Sequence, residues 1–224
     1  MSLPRREQPE LLDLGAYDDL DELRQNLDDM ARYARLLRLT AALEQLLPKG
    51  TAHVLDVGCG SGTLLRELVE GLGARYVGVD RSSAVLRLAQ QIQPRSQFVR
   101  ADGARLPFAD ASFDSVVCVH TLHHFSPQGA AHLLAECARI ARQRVICIDL
   151  HRSALGLVGA WVLTRLTSRN RLTRADGVTS VQRAYTLQEA QRLALAAGWA
   201  NFRTCRAGVA GYALVLDNSG TSAN

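Results

Sequence analysis

The stretch VLDVGCGSG, residues 54–62, predicts a buried strand that runs into a glycine-rich turn and then a helix. Glycine is needed where the backbone approaches a ligand closely, and the first N–H groups of a helix can bind a carboxylate or a phosphate. The spacing departs from the dinucleotide pattern GxGxxG, because Thr63 stands where the third glycine would be. Asp56 would repel a diphosphate and attract an ammonium group. The turn therefore indicates a ligand that carries both a cation and a carboxylate.

Two further acids follow the next two apolar runs. Asp80 comes eighteen residues after Gly62, at a strand end where an acid can accept hydrogen bonds from both ribose hydroxyls. Asp102 follows the third run and could accept a hydrogen bond from an adenine amino group. Each acid alone could simply cap a turn. Together with Asp56, they would contact successive parts of one nucleoside ligand along the sheet edge. This arrangement predicts S-adenosylmethionine as the cofactor.

The elements that must position these acids alternate from residue 52 onward, and this alternation predicts an α/β fold with a doubly wound, mostly parallel sheet. The expected strands are 53–57, 75–79, 97–100, 115–119 and 144–148. The expected helices between them are 63–72, 83–92 and 128–141. A helix over 186–197 and a hairpin of strands over 200–207 and 211–217 would end the fold, and one helix is expected over 19–47.

We expect three parts in the chain: an N-terminal helical cap (1–50), an α/β domain (51–217) and a flexible tail (218–224). The segment 151–183 interrupts the alternation directly after the fifth strand. It is expected to form a helical lid at the carboxyl end of the sheet, where ligands bind in open α/β folds.

The composition excludes several classes of protein. Of the 224 residues, 47% are hydrophobic and 21% are charged, which is typical of a globular chain and neither disordered nor collagenous. No uncharged apolar run reaches the length of a membrane span, and no apolar signal-peptide region opens the chain. The five cysteines, an odd number without a CxxC pair, are expected to be reduced in a cytoplasmic protein.

The charge is unevenly distributed. Residues 151–183 carry six arginines against one acid, whereas residues 1–30 carry nine acids against three arginines. A basic segment can indicate nucleic acid, an anionic substrate or a membrane surface. We favour a solvated face that the acidic N-terminus partly balances.

DVGCGSG, then GVD, then ADGARLPFADASFDSVVC together resemble class I S-adenosylmethionine-dependent methyltransferases. The segment RLPFADASFDSVVCVHTLHHF is most similar to the ubiquinone/menaquinone-biosynthesis group of small-molecule enzymes (methyltransferase type 11). The resemblance covers roughly residues 50–150 and implies a seven-stranded sheet with an antiparallel last strand. IARQR at 140–144 replaces the family's usual LxPGG turn, so a tighter loop is expected there. The cofactor contacts that the resemblance implies are Asp56, Gly58, Cys59, Gly60, Asp80, Arg81, Asp102, Gly103, Ala104 and His120.

Histidines after the fourth and fifth strands are the candidate catalytic residues. Methyl transfer from a sulfonium is an SN2 displacement, and a base helps when the acceptor is poorly ionised. We single out His120, His123 and His151 for this role, with Asp149 placed by strand alternation to orient His151. His124 is expected to be structural, as in the resembled group. No metal site is expected, because neighbouring histidines do not converge easily on one ion and no acid accompanies them.

The motifs ELLD at 10–13 and NLDDMAR at 26–32 resemble a bacterial subgroup linked to polyketide tailoring. The expected reaction is therefore methyl transfer to a hydroxyl of a phenolic, quinone-like or polyketide metabolite. Two alternatives stay open: an RNA or other nucleic-acid methyltransferase, and a non-catalytic, cofactor-binding regulatory protein. We expect a monomer or homodimer that takes a small-molecule acceptor and neither binds nucleic acid nor spans a membrane.

Overall fold

The computed structural model describes residues 3–218, so the predicted tail lies outside the described residues except for Asn218. The strands are β1 His53–Val57, β2 Arg75–Asp80, β3 Gln97–Arg100, β4 Phe113–Val119, β5 Ala141–Leu150, β6 Phe202–Ala207 and β7 Gly211–Asp217. The α-helices are α1 Leu20–Leu36, α2 Leu39–Leu46, α3 Thr63–Gly71, α4 Ser83–Ile92, α5 Pro127–Ile140, α6 Ala154–Thr167, α7 Arg171–Arg183 and α8 Leu187–Ala196. A short 3₁₀ helix, Leu122–His124, follows β4.

The seven strands form one sheet in the order β3-β2-β1-β4-β5-β7-β6. β7 runs antiparallel to β5 and β6, and the other pairings are parallel. This arrangement confirms the predicted doubly wound sheet with its antiparallel last strand. Because the strand order reverses direction between β1 and β4, a crevice opens outside their carboxyl ends, where such folds bind ligands.

Apolar layers cover both faces of the sheet. On one face α5 and α8 pack against the central strands, and the fully buried Trp199 donates from its indole Nε1 to the carbonyl oxygen of Leu134 at 3.1 Å. On the other face α2 and α3 bury Leu43 and Leu65. Burial on both sides explains why residues 116–119 of β4 and 145–148 of β5 are continuously apolar. The expected tight connection is present, since α5 ends at Ile140 and β5 begins at the next residue.

The prediction of one helix over 19–47 is wrong, because the chain breaks between α1 and α2. Arg38 adopts a left-handed φ of 63° there. The turn between β6 and β7 fills the break: the Val209 N–H donates to the carbonyl oxygen of Leu37 at 3.1 Å. A Cβ on Gly208 would lie only 2.1 Å from that same oxygen. A contact over 170 residues away in sequence therefore ends α1, which periodicity could not reveal.

The segment after β5 forms two helices of different character. α7 packs inward, and its Asp176 side chain accepts hydrogen bonds from the backbone N–H groups of Leu11 and Leu12 at 2.7 and 3.0 Å. α6 exposes apolar side chains instead, with Leu155 and Leu166 at 83% and 80% exposure. None of the helices within residues 3–218 is long and apolar enough to cross a membrane.

Two of the six arginines in residues 151–183 pair with N-terminal acids. Arg171 lies 3.1 Å from Glu22 and 3.3 Å from Asp18, and Arg183 lies 2.9 Å from Asp13. The charge asymmetry of the sequence therefore corresponds to contacts between the N-terminal segment and α7.

Substitution of Gly208 by alanine should destabilise the fold. The added Cβ meets the Leu37 carbonyl oxygen, and φ is +61° at this position. Gly73→Ala is the matched control, since φ there is +68° and no heavy atom lies within 4 Å of the added Cβ. The left-handed backbone alone costs an L-residue about 1–2 kcal/mol. In urea unfolding Gly208→Ala should lose at least about 1 kcal/mol more than Gly73→Ala; equal losses would contradict this packing of the turn.

Candidate active site

A cavity of about 920 Å³ opens at the carboxyl ends of β1, β2 and β4, and we call it the acid-lined cavity. Nine of the ten cofactor contacts implied by the sequence line it: Asp56, Gly58, Cys59, Gly60, Asp80, Arg81, Asp102, Gly103 and His120. Ala104 does not line it; its backbone N–H instead donates to the Asp102 carboxylate at 2.9 Å. Asp102 thus both caps a turn and faces the cavity.

Side chains packed beneath the glycine turn determine its shape. Gly58 has φ +75°, and a Cβ there would lie 2.2 Å from Thr121 Oγ1. Thr121 Oγ1 donates to the carbonyl oxygen of Val57 at 3.1 Å. At Gly62 a Cβ would lie 2.7 Å from the Tyr76 hydroxyl oxygen. The turn therefore needs glycine for its close packing as well as for its left-handed backbone.

Two carboxylates in this cavity lack a cationic partner among the hydrogen bonds of the described residues. Asp56 is 5% exposed and accepts a hydrogen bond from the Tyr76 hydroxyl at 2.9 Å. Burial and, to a smaller extent, the charge of Asp80 raise the pKa of Asp56 to about 7, against the effect of the Tyr76 hydrogen bond. Asp80 accepts from the Gly60 and Ser82 N–H groups at 3.2 and 2.9 Å, and burial raises its pKa as well. A ligand with a positive charge and a hydroxylated sugar suits this pair.

The N-terminal segment ahead of α1 covers the acid-lined cavity, whereas the prediction of an N-terminal cap named no residue that would line it. Leu12, Asp13, Leu14, Gly15 and Tyr17 all line it. The ELLD motif and the acidic excess of residues 1–30 single out this segment in the sequence, but neither shows which elements it contacts.

A second cavity, of about 800 Å³, lies between β5, α6, α7 and the turn between β6 and β7. We call it the apolar cavity. Its apolar lining includes Leu150, Leu155, Leu163, Val181, Leu187 and Tyr212. His151 also lines it, with its ring centroid 6.5 Å from that of Tyr212 in an edge-on arrangement.

His120 lines both cavities, together with Leu12 and Met30. Its backbone has a left-handed φ of 52°, an uncommon conformation for a residue other than glycine. Its N–H donates to the carbonyl oxygen of Ile148 at 2.8 Å, which fixes it to the end of β5. Burial lowers the pKa of His120 to about 4, despite the opposing charge of Asp149, so its imidazole is neutral near pH 7.

The structure places His123 and His124 differently from what their expected roles suggest. His123 is 1% exposed and lines neither cavity, whereas His124 lines the acid-lined cavity. His123 Nδ1 lies 2.7 Å from Asp149 Oδ1, and its Nε2 lies 3.3 Å from Glu10 Oε1. Burial opposes a charge on His123, but Asp149 and Glu10 outweigh it and raise the pKa to about 10. His123 therefore lies outside both cavities, and its position does not support the predicted role as a base.

Asp149 does not orient His151, as strand alternation had suggested. Its carboxylate is fully buried and accepts from the His123 and Leu150 N–H groups at 3.0 and 2.7 Å, besides its contact with the His123 ring. His151 is exposed and lies just past the end of β5, where its N–H donates to the carbonyl oxygen of Ala210 at 3.0 Å.

Comparison with known proteins identifies the domain that contains the acid-lined cavity. The family model described as "Methyltransferase domain" matches residues 54–144, from β1 into β5. Residues 54–144 thus match a methyltransferase domain, in agreement with the class I S-adenosylmethionine-dependent methyltransferase that the motifs predicted. S-adenosylmethionine is the cofactor of this class, in agreement with the prediction from the three acids.

Two curated relatives and one solved structure illustrate the similarity. The chain is 33% identical over 130 residues to a demethylmenaquinone methyltransferase of Beutenbergia cavernae, covering 57% of this chain and 52% of the relative. It is 30% identical over 154 residues to a ubiquinone biosynthesis O-methyltransferase of Xanthomonas oryzae, covering 62% of each. The chain thus spans about half to three-fifths of the length of these relatives.

The structure of human N-acetylserotonin methyltransferase in complex with S-adenosylmethionine shares the fold. The TM-score is 0.67 at 18% sequence identity, over 97% of this chain and 63% of the human chain.

Substitution Asp80→Asn should weaken S-adenosylmethionine binding at least tenfold, about 1.4 kcal/mol. The amide oxygen can accept from only one of the two N–H groups, Gly60 and Ser82, that the carboxylate binds, and the negative charge that faces the cavity is lost. Asp28→Asn makes the same charge change at an exposed position and should leave the affinity unchanged in calorimetric titrations. Equal affinities for all three proteins would rule out an Asp80 contact.

The affinity for S-adenosylmethionine should increase with pH between about pH 6 and 8, because the ionised form of Asp56, whose pKa is about 7, attracts a cation. The affinity of Asp56→Asn should depend less on pH. The ligand's own groups titrate equally in both experiments, so the difference between the two affinity profiles reports Asp56.

Without ligand, the raised pKa of Asp56 means that the free energy of unfolding falls as pH rises from about 4 to about 7, and Asp56→Asn should reduce this slope. Parallel profiles for the two proteins would contradict the assignment.

Proposed function

We propose that this chain transfers a methyl group from S-adenosylmethionine to a hydroxyl of a small phenolic, quinone-like or polyketide metabolite. One observation carries the proposal: His120 stands in the wall that an acid-lined cavity and an apolar cavity share. Methyl transfer needs two ligands that meet at one point, and this is the point where the two cavities adjoin.

The residues of the acid-lined cavity fit S-adenosylmethionine. Asp56 and the N–H groups of the glycine turn suit an ammonium and a carboxylate, Asp80 suits the ribose, and Asp102 and Gly103 suit the adenine. When bound, this cofactor supplies a methyl group that is already activated by its positively charged sulfur.

The size and lining of the apolar cavity support a small, largely apolar acceptor. Its 800 Å³ volume lies within the usual range for small-molecule sites, which are mostly apolar with a few polar groups that fix orientation. His120 and His151 are such groups. The names of the two curated relatives, which refer to menaquinone and ubiquinone pathways, agree with an acceptor of this chemistry.

We assign His120 the task of accepting a hydrogen bond from the acceptor hydroxyl. A neutral imidazole can accept this bond across the physiological pH range, but a pKa of about 4 makes His120 a weak base. Its main contribution would therefore be orientation of the hydroxyl, with proton acceptance secondary. His151 is the second candidate, at the outer part of the apolar cavity, and His123 is not retained as a base.

The nucleic-acid alternative receives less support from the contacts. Three arginines of the basic segment are engaged: Arg171 and Arg183 by N-terminal acids, and Arg152 by Glu189 at 2.7 Å. Their charge is therefore largely neutralised within the protein rather than offered to phosphates.

Turnover can be measured as S-adenosylhomocysteine formation with a panel of catechols, resorcinols and hydroxyquinones. His120→Asn should lower kcat roughly 10- to 100-fold, a larger factor than its effect on the Kd of S-adenosylmethionine. Asparagine is chosen because it tolerates the left-handed backbone at this position. His132→Asn, at an exposed site on α5, is the control and should behave as wild type.

Two results would overturn the proposal. Tight binding of S-adenosylmethionine without turnover on any acceptor would support the regulatory alternative. Methyl transfer to RNA with salt-dependent affinity would support the nucleic-acid alternative.

A further inference from the structure

Glu10, His123 and His124 converge in the fold, although Glu10 is more than 110 residues from the histidines in sequence. One potential ligand atom of each residue lies within 4.8 Å of the other two. Glu10 Oε1 is 3.3 Å from His123 Nε2, and Glu10 Oε2 is 3.9 Å from His124 Nε2. Glu10 is the acid whose absence from the local sequence argued against a metal.

Carboxylates bind the far side of both imidazole rings. His123 Nδ1 lies 2.7 Å from Asp149 Oδ1, and His124 Nδ1 lies 3.0 Å from both oxygens of Asp13. Ligating histidines in proteins almost always donate their other ring N–H to such a group, which fixes the tautomer and leaves the opposite nitrogen free to bind a metal. Here the opposite nitrogens are the two Nε2 atoms that face Glu10.

His123 Nε2 is imperfectly paired in the fold. It is buried and has no hydrogen-bond partner of acceptable geometry among the described residues, despite its proximity to Glu10. Buried polar atoms are rarely left unpaired. Glu10 is itself held in place, since Ser180 Oγ donates to its Oε1 at 2.7 Å.

We propose that Glu10, His123 and His124 bind one zinc-class divalent cation through the Glu10 carboxylate and the two Nε2 atoms. Zinc lies about 2.0–2.2 Å from such atoms and accepts two histidines and a glutamate with a fourth, non-protein ligand. The present separations require only small movements of the side chains. The negative charges that favour a proton on His123 also favour a cation in its place, and binding of the metal displaces that proton.

The position of the site assigns it a structural task. Glu10 lines the apolar cavity and His124 the acid-lined cavity, so the ion would lie in the wall between them. It would tie the N-terminal segment to the loop after β4, and thereby hold closed the cover formed by Leu12 and Asp13. This inference does not depend on the proposed methyl transfer.

Metal binding can be tested on the full chain with Zn²⁺ in competition with a chromophoric chelator, and with Co²⁺ by visible absorption. We expect one equivalent per chain and a Zn²⁺-dependent rise in Tm. Glu10→Gln and His124→Gln should each weaken binding at least tenfold, whereas the exposed His132→Gln should bind as wild type. The Co²⁺ spectrum should lack a thiolate charge-transfer band, which separates this site from the partly accessible Cys59 and Cys205.

Melting curves in EDTA test whether the variants fold, and His124→Gln is the safer of the two because its side chain is 20% exposed. No stoichiometric binding by wild type would overturn the proposal, and so would equal binding by wild type and His124→Gln. In either case the cluster would be an ion-pair network only.

Discussion

The buried contact between His123 and Asp149 is the interaction on which the rest of the site depends. The Asp149 carboxylate accepts hydrogen bonds from the ring and from the backbone N–H of His123. These bonds link the loop after β4 to the end of β5. Breaking such a buried pair typically costs about 3–5 kcal/mol, because it leaves an uncompensated charge. With this loop fixed, His120 is held in its left-handed conformation at the boundary of the two cavities.

The other elements of the site attach to the same loop. Arg183 of α7 donates to the carbonyl oxygens of His123 and His124 at 3.2 and 2.7 Å, and Arg5 donates to those of His123 and Phe125 at 3.2 and 2.9 Å. These charged donors satisfy carbonyl groups that a tight turn leaves unpaired. The N-terminal cap and the helices after β5 are thus positioned by one turn of chain, although each belongs to a different part of the sequence.

The sequence predicted the sheet and the three acids because both depend on local patterns. Carboxyl ends of parallel strands meet at one edge, so acids after successive strands converge without knowledge of distant contacts. The orientation of His123 and His124 was not predictable in this way. Their ring centroids lie only 4.4 Å apart, and the partners that distinguish the two rings, Asp149 for His123 and Asp13 for His124, are remote in sequence. The break at Arg38 has the same origin, since the turn at Gly208 imposes it.

The lining of the two cavities divides the chain into two portions. Among the described residues, those that line the acid-lined cavity all precede Pro127, whereas most that line the apolar cavity follow Asp149. Only Leu12, Met30 and His120 belong to both. Most substitutions after β5 can therefore reshape the apolar cavity without direct contact with the acid-lined one. In evolutionary terms, the ligand specificity of the apolar cavity can change while selection preserves that of the acid-lined cavity.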